Sequence, residues 1–274
     1  MTKKSDIKSR DLSWQVSTVI IILFTVFFSV DLFAKKVISL APNINEMLIF
    51  LNKTEHIVGV TKYSKNPNNA KVVGDIMSLN YETIYSLKPD VVILLDNQKK
   101  ELKKLSDLNI ECLVVKADRL LDIVDSTQLI NKKIFNSAEI NNIFYSLTIG
   151  TFEINLNKKK VLIVVDRNPN DLTNIYVAGI NTFINDYLTI INLNNLIKDS
   201  GYVKVNLEYV FNLNPDVIID LTIGANVKNW LTFNQLKAVK ENNVFSIQEN
   251  YFIIPSPYIF EHLFKLKEKI NEVK

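Results

Sequence analysis

The stretch NYETIYSLKPDVVIL, residues 80–94, returns in altered form as NLEYVFNLNPDVIID, residues 206–220. Both copies carry a glutamate at the third position, so Glu82 and Glu208 occupy equivalent places. The copies lie 126 residues apart in a chain of 274, a period too long for a solenoid or a propeller. The repeat therefore predicts two similar halves, and a cleft between two such halves is a preferred place for a small-molecule site.

Short apolar runs alternate with helical patterns in both halves, which predicts an α/β fold with mostly parallel sheets and two similar doubly wound lobes. Val91–Leu95 lacks the apolar–polar alternation of a half-exposed strand, as expected when both faces of a sheet are covered. The other predicted strands are Val37–Leu40, Ile57–Val60, Glu111–Val115, Val161–Val165, Val217–Asp220 and Val244–Ile247. The predicted helices are 44–52, with Asn43 and Glu46 as a capping box, Glu82–Leu87, Lys99–Leu108, Thr182–Leu193, Glu208–Leu213, Val227–Lys240 and Tyr258–Glu272.

The segment between the halves contains no strand-like run. Apolar residues recur at helical spacing from Ile140 to Ile154, which predicts a helix over about 138–155. Such a helix is about 27 Å long, enough to cross from one lobe to the other. The predicted domains are an N-terminal α/β lobe at 35–130, a backbone linker helix at 131–157 and a C-terminal α/β lobe at 158–274.

Residues 1–34 have the pattern of an export signal, with four basic residues before an apolar run at Val16–Val30 and a small residue, Ala34, at its end. The run is short for a membrane span. A cleaved signal peptide and export to the periplasm are therefore predicted, with an uncleaved anchor as the alternative. No cysteine follows the apolar run, which argues against lipid attachment there.

Composition argues against several classes of function. The net charge is only +3, without a basic stripe, so nucleic acid is not an expected partner. The two histidines, His56 and His262, are too few for a usual transition-metal site, and no metal ligands are predicted. The single cysteine, Cys112, is predicted to be a small buried core residue. Dinucleotide, P-loop and nucleophile-elbow motifs are missing, so the chain is predicted not to be an enzyme and to need no cofactor.

The remaining signals indicate binding. Glu82 and Glu208 begin matched short helices, and paired carboxylates of this kind can hold a partner through arginines. Aromatic residues also gather in predicted loops at the carboxyl ends of strands, where α/β proteins bind ligands. They predict a large, flat, partly apolar ligand, and ordinary loop packing is the alternative for each of them. These residues are Tyr63, Tyr176, Tyr202, and Tyr251 and Phe252 beside Asn250.

Six stretches together identify a family. They are KKVISLAPNINEMLIFL (35–51), HIVGVTKYSKNP (56–67), KVVGDIMSLNYETIYSLKPDVVIL (71–94), YVAGINTFINDYL (176–188), VNLEYVFNLNPDVII (205–219) and SPYIFEHL (256–263). In this order they resemble the periplasmic binding proteins of cobalamin and ferric-siderophore ABC importers. The resemblance implies two α/β lobes joined by one long helix, a ligand held in the cleft, and docking of Glu82 and Glu208 on a membrane permease.

The resemblance also suggests a ligand. Tyr63 matches the tyrosine of a Y-S-x-x-P loop in cobalamin-binding members, and Tyr176, Tyr202 and Tyr251–Phe252 fall where those members carry aromatic residues. The match is incomplete. Ile76, Asn250 and Tyr258 stand where the cobalamin proteins carry a Trp, an Asp and an Arg, and Asp75 stands where haem-binding relatives carry an iron-ligating Tyr.

The sequence therefore predicts a monomeric, exported binding protein that captures a metal chelate and delivers it to an ABC permease. A cobalamin or related corrinoid is the preferred ligand, and a ferric siderophore comes next. Two alternatives stay open. One is a signal-anchored domain that senses a ligand or recruits a partner without transport, and the other is an enzyme acting on a ligand in the cleft.

Overall fold

The computed structural model describes residues 35–75, 78–137, 159–249 and 252–258, together with 261–263, 265, 266 and 268 of the last helix. The first lobe has the strands β1 (Val37–Ser39), β2 (Ile57–Val60), β3 (Lys71–Val72), β4 (Val91–Leu95) and β5 (Cys112–Val115). They form a five-stranded parallel sheet in the order β3-β2-β1-β4-β5. The helices of this half are Pro42–Phe50, Tyr81–Ser86, Lys99–Asp107 and Leu120–Phe135, with a short 3-10 turn at Thr54–His56.

The second lobe has the strands β6 (Lys160–Asp166), β7 (Ile175–Ala178), β8 (Asn194–Asn195), β9 (Tyr202–Val205), β10 (Val217–Asp220) and β11 (Val244–Ser246). They form a sheet of six strands in the order β11-β10-β6-β7-β9, with β8 beside the start of β6. This sheet is mixed, because β7 runs antiparallel to both of its neighbours. Its helices are Phe183–Ile190, Leu207–Leu213, Lys228–Leu231 and Lys237–Lys240. The predicted α/β fold with two lobes is confirmed, although the second lobe is less purely parallel than expected.

The repeated Pro-Asp-Val run makes the same contacts in both lobes. The backbone N–H of Lys36 donates to the Asp90 carboxylate at 2.7 Å, and that of Lys160 donates to Asp216 at 2.8 Å. The residue two positions before each aspartate, Lys88 or Asn214, has a positive φ of 49° or 43° and ends the preceding helix. The repeat in the sequence is therefore a repeat of structure, in which each aspartate fixes the start of a central strand.

Side chains of the central strands alternate between two buried layers. In β4, Val91 and Ile93 join a core shared by both lobes, whereas Val92 and Leu94 join a core of the first lobe alone. In β6, Val161 and Ile163 belong to the shared core, and Leu162 and Val164 to a core of the second lobe. This two-sided burial explains the unbroken apolar runs. It also shows that the lobes pack against each other through one continuous apolar layer.

Several predicted elements are wrong in detail. The first helix begins at Pro42 with Ala41 as its N-cap and no side-chain cap, so the predicted Asn43–Glu46 capping box does not form. Glu46 instead pairs with Lys65 at 2.9 Å. The helix predicted at Val227–Lys240 is two short helices, Lys228–Leu231 and Lys237–Lys240. The buried Trp230 of the first donates its indole N–H to Asp220 and so ties that helix to the sheet. Strands β3, β7, β8 and β9 were not expected.

The predicted linker helix over 138–155 lies outside the described residues, and the helix Leu120–Phe135 precedes that segment. The predicted signal segment at 1–34 also lies outside them. None of the described helices has the length and hydrophobicity to span a bilayer. In the last helix, Leu263 and Leu266 are buried in the shared core.

Candidate functional site

A cavity of about 350 Å³ lies between the two lobes. It is placed at the carboxyl ends of β1, β4, β5 and β6, where parallel α/β sheets bind ligands. The first lobe contributes Asn43, Leu95, Asp96, Asn97, Ala117 and Asp118. The second lobe and the chain after β11 contribute Val165, Phe183, Ile184, Tyr202, Ile253 and Pro255. Because residues from both lobes form its walls, this cavity is the cleft that the repeat predicted.

Two buried polar side chains hold the loops of the first-lobe wall. Gln98 accepts from the Leu95 N–H at 2.8 Å and donates to the Leu40 carbonyl at 3.3 Å, which fixes the turn after β4. The Ser126 hydroxyl donates to the Lys116 carbonyl at 2.8 Å and accepts from the Lys116 N–H at 3.0 Å, which fixes the turn after β5. These hydrogen bonds fix the backbone that carries Asp96 in the first turn and Asp118 in the second.

The second-lobe wall depends on a close approach of backbone at Gly179. The Gly179 N–H donates to the Gly201 carbonyl at 2.8 Å, and a Cβ at Gly179 would lie 2.0 Å from the Asp199 carbonyl oxygen. Gly201 has a positive φ of 82° and immediately precedes Tyr202. These two glycines set the path of the chain that brings Tyr202 into the cavity.

Tyr202 lines the cavity from the strand pair β7 and β9 rather than from a loop. In this pair Ala178 faces Tyr202 and Tyr176 faces Lys204, so both tyrosines lie on one face of the sheet as diagonal neighbours. Half of the Tyr202 side chain is exposed, at 51%. Nevertheless, desolvation of its hydroxyl in the cleft, together with the nearby Asp118 carboxylate, raises the pKa of Tyr202. The hydroxyl therefore stays protonated and can donate a hydrogen bond to a ligand at any ordinary pH.

The other predicted aromatic contacts lie elsewhere or are not described. Of the aromatic site residues that the structure describes, only Tyr202 lines the cavity. Tyr63 is 70% exposed in the loop after β2, with the Lys62 ammonium 5.3 Å from its ring centre. Tyr176 is 38% exposed with the Lys204 ammonium 5.8 Å from its ring. Both tyrosines are available to a ligand that extends beyond the cavity. Ile76, Asn250 and Tyr251 lie outside the described residues.

Phe252 was expected on an exposed loop, and this expectation is wrong. It is buried in the shared core at 3% exposure, with the buried His262 ring 6.0 Å away. Its burial brings the next residue, Ile253, to the cavity wall. Tyr258 is half-buried and packs edge-on against Phe50 at 5.4 Å.

Cys112 is half-buried at the start of β5 rather than fully buried as predicted. Partial burial, together with the Glu111 carboxylate, raises the pKa of its thiol. The His56 Nδ1–H donates to the Lys35 carbonyl at 3.0 Å, and the other ring nitrogen of His56, Nε2, lies 3.3 Å from the Glu55 carboxylate. No group of three His, Cys, Asp or Glu residues in the described part of the chain has the arrangement of a metal site.

Glu82 and Glu208 are exposed in the first turns of the matched helices Tyr81–Ser86 and Leu207–Leu213. Asn80 caps the first helix by accepting from the Thr83 N–H, and Asn206 caps the second by accepting from the Tyr209 N–H. Because the asparagines cap the helices, neither glutamate is needed as a cap, and both glutamate side chains are exposed to solvent. The two carboxylates are thus presented in the same local setting, one on each lobe.

A charged contact joins the lobes at the end of the cleft. The Arg119 guanidinium donates to both carboxylate oxygens of Asp186 at 2.6–3.1 Å, and to the Asn181 side chain at 3.1 Å. Asp186 also accepts from the Leu120 N–H at 2.9 Å, at the start of the helix Leu120–Phe135. The hydrogen bonds and charge of Asp186 outweigh desolvation and raise the pKa of Arg119. Arg119 belongs to the first lobe and Asp186 to the second, so this contact fixes their relative position.

Comparison with known proteins gives the class. Residues 37–142 match the family of periplasmic binding proteins. The chain is 28% identical over 259 residues to an ABC transporter substrate-binding lipoprotein, YvrC, of Bacillus subtilis, covering 86% of this chain and 80% of that protein. It is 23% identical to a vitamin B12-binding protein of Vibrio parahaemolyticus, covering 88% and 90%. It is 30% identical to the haem uptake protein IsdE of Staphylococcus aureus strain Newman, covering 69% and 71%.

Solved structures agree with the fold. A possible iron-binding periplasmic solute-binding protein of Staphylococcus epidermidis superposes with a TM-score of 0.72 at 26% identity, covering 86% of this chain and 98% of that one. The vitamin B12-binding protein BtuF of Vibrio cholerae gives 0.70 at 19% identity, covering 87% and 97%. The chain belongs to the periplasmic binding protein family. Within that family it is an extracytoplasmic, non-enzymatic substrate-binding protein of an ABC importer.

Sequence reasoning missed most of the cavity wall. Asp96 directly follows one predicted strand and Asp118 comes three residues after the end of another, so the rule that ligands bind at the carboxyl ends of strands would have found them. Asn43 was interpreted as a helix cap, but its side chain accepts from the adjacent Ile44 N–H and lines the cavity instead. Phe183 and Ile184 carry no local signal, because their contact with the first lobe arises only when the lobes pack.

Proposed function

We propose that this protein captures a metal chelate in the cleft between its lobes and delivers it to the permease of an ABC importer, with a corrinoid such as cobalamin as the preferred ligand. The observation that carries the proposal is the cavity whose walls come from both lobes at the carboxyl ends of their strands. A ferric siderophore is the next choice. The metal stays in its chelate, so the protein needs no metal ligands of its own.

The relatives support a metal chelate as the ligand but do not distinguish one chelate from another. One relative is a vitamin B12-binding protein and another is a haem uptake protein. The cobalamin choice rests on the tyrosines that match aromatic positions of cobalamin-binding members, and Asp75 at the place of the iron-ligating tyrosine argues against haem. In this proposal Tyr202 contacts the ligand inside the cavity, and Tyr63 and Tyr176 contact its outer parts. Ile76, Asn250 and Tyr251 are proposed ligand contacts on the resemblance alone, whereas Phe252 is buried in the shared core and supports the wall behind Ile253.

Glu82 and Glu208 are proposed to dock the loaded protein on the permease. Both are exposed at helix starts in equivalent places on the two lobes. Carboxylates bind arginine through short, charge-assisted hydrogen bonds, often two at once. A pair of such contacts, one on each lobe, orients the cleft with respect to the membrane partner.

Export is proposed to depend on residues 1–34, with cleavage after Ala34 to give a periplasmic, monomeric protein. The Bacillus relative is a lipoprotein. This chain has its single cysteine at position 112, on β5, so it lacks the acceptor for lipid attachment at the end of its signal. If mass spectrometry of the exported protein shows that residues 1–34 remain attached, the chain is anchored instead.

Calorimetric titration tests the ligand assignment. Residues 35–274 are titrated with cyanocobalamin, a ferric hydroxamate siderophore and haemin. We expect one-to-one binding of cyanocobalamin at micromolar affinity or tighter. Binding of the siderophore or haemin alone would replace the preferred ligand and leave the transport role in place, whereas binding of none of them would refute the proposed function.

The docking role is tested by the double variant Glu82→Ala and Glu208→Ala. We expect ligand affinity to be unchanged while uptake through the cognate permease falls by at least tenfold, because neither glutamate lines the cavity. Glu111→Ala is a matched control, since Glu111 is also exposed but lies before the amino end of β5. Normal uptake with the double variant would show that docking uses other residues.

A further inference from the structure

We propose that Asp96 and Asp118 make the cleft selective for ligands that present N–H donors or positive charge, and that they exclude chelates with anionic outer groups. This inference rests on the proposed function, because it concerns the same cleft. Beyond that function, two carboxylates are proposed to determine which chemical class of ligand binds. The class includes corrinoids, whose ring carries amide side chains, and hydroxamate chelates that bear an ammonium group.

The charged residues that line the cavity are all acidic within the described part of the chain. Asp96 follows β4 and Asp118 follows β5, so both stand on the first-lobe wall. The other polar wall residues are neutral: Asn43, Asn97 and Tyr202. No hydrogen bond or ion pair among the described residues engages the Asp118 carboxylate, which leaves its oxygens for a ligand or for water.

The two arginines that follow cavity-lining residues in the chain are already paired. Arg119 is held by Asp186, and the fully buried Arg167 is held by Asp220 at 2.7 Å. Lys116 is the cation nearest to Asp96, at 4.0 Å, but the lysine side chain is 64% exposed. An ion pair that long and that exposed contributes little and does not cancel the carboxylate. Among the described residues, the wall of the cavity itself therefore carries negative charge and no cation that could receive an anionic ligand.

A carboxylate in a partly desolvated cleft discriminates strongly between ligand groups. An amide or ammonium N–H satisfies it with a charge-assisted hydrogen bond, which is stronger than a neutral one. A propionate or catecholate placed opposite it meets a like charge, and this repulsion grows as water is displaced. Asp118 of the first lobe and Tyr202 of the second both line the cavity, so the carboxylate lies close to the opposite wall. Burial, and after it the Asp118 carboxylate, raises the pKa of Tyr202, in agreement with this placement.

A pair of ligands that differ in one group provides the sharpest test. Cyanocobalamin is compared with its monocarboxylate, in which one propionamide is hydrolysed to a propionate, by titration against wild-type residues 35–274. We expect the amide form to bind at least about tenfold more tightly, as a difference of one charged hydrogen bond predicts. Ferrioxamine B, haemin and a ferric catecholate complete the series, with the two anionic chelates expected to bind most weakly.

The protein side of the test uses Asp96→Asn, Asp118→Asn and the double variant. Asparagine keeps the shape and removes the charge, so the preference for the amide form should fall to within about twofold in the double variant. Asp107→Asn is the control, because Asp107 is exposed at the end of the helix Lys99–Asp107, away from the strand ends that form the cleft. Thermal melting of each variant establishes that it is folded.

The outcomes separate this inference from the function on which it rests. Tight binding of cyanocobalamin or ferrioxamine B, together with weak binding of the anionic chelates, supports both the inference and the proposed function. Whichever of these two ligands binds more tightly identifies the source of the N–H donors. Binding of haemin or the catecholate as tight as that of the neutral and cationic ligands overturns the inference and leaves the transport role standing. A preference unchanged in the double variant also overturns it. Binding of no ligand overturns both.

Discussion

Asp220 shows how single residues prepare the second-lobe wall. Its carboxylate, at the end of β10, accepts from the Arg167 guanidinium at 2.7 Å and from the Trp230 indole at 2.8 Å, all three buried. Arg167 in turn donates to the carbonyls of Asn168 and Asp171 at 2.8 Å. A buried charge pair is tolerated only when its other hydrogen-bonding groups are also satisfied. This network fixes the loop that follows β6, the strand that brings Val165 to the cavity.

His262 predicts a dependence of stability on pH. Burial lowers its pKa from 6.5 to about 4, so in the folded protein it stays neutral at pH 5. The unfolded chain binds a proton at this site as pH falls below about 6.5, which draws the equilibrium towards unfolding. The free energy of unfolding should therefore be fully retained above pH 7 and decrease by roughly 1–3 kcal/mol between pH 7 and pH 4 from this group alone.

Urea unfolding of wild type and His262→Gln at several pH values measures this contribution. Other acidic groups titrate in the same range in both proteins, so the difference between the two curves isolates His262. The difference should shrink as pH falls, because the variant has no imidazole to protonate. Parallel curves from pH 7 to pH 4 would show that His262 is not buried in its neutral form.

Among the helices and strands, the bounds of a strand could be predicted from the sequence where both faces of the strand are covered. β2 and β4 begin and end where the apolar runs predicted, since every residue of such a run is buried or nearly so. Prediction failed for β7 and β9, which lie towards the edge of the second sheet and present Tyr176 and Tyr202 outwards. The two strands are runs of only four residues, IYVA and YVKV, bounded by Asn and Gly, and such short runs resemble loop sequence. Only the pairing of the two strands reveals the face that the tyrosines share.

The close approach at Gly179 predicts a large difference between two glycine substitutions. Gly179→Ala should destabilise the protein by roughly 2–4 kcal/mol, because its Cβ would lie 2.0 Å from a carbonyl oxygen and the backbone must move. Gly201→Ala should cost only about 1–2 kcal/mol, since the space there is open and the cost is that of the positive φ. Thermal unfolding compares them, and equal effects would contradict the contact between Gly179 and Asp199.

For the whole molecule, the lobes are joined by packing and by charge. The shared apolar core contains residues of both lobes, including Ile93 and Ile163. The Arg119–Asp186 contact adds a two-pronged ion pair, in which Asp186 is 14% exposed. The repeat predicted that the lobes exist, but not this contact, because neither residue belongs to a repeated motif. Together these links favour a cleft whose width changes little.

Asp186→Ala tests the charged link. It removes the partner of Arg119 and the acceptor of the Leu120 N–H, so we expect a loss of roughly 1–3 kcal/mol in the free energy of unfolding. Glu261→Ala is the control, because its pair with Lys265 is exposed and within one helix and should contribute less than about 1 kcal/mol. A loss for Asp186→Ala no larger than that of the control would show that packing alone joins the lobes.

Hydrogen–deuterium exchange of residues 35–274, with and without saturating cyanocobalamin, tests most directly whether a ligand binds between the lobes. We expect slower exchange in both walls of the cavity, at 95–97 and 117–118 in the first lobe and at 183–184 and 202 in the second. Slower exchange in only one lobe, or no change at these four places, would contradict it.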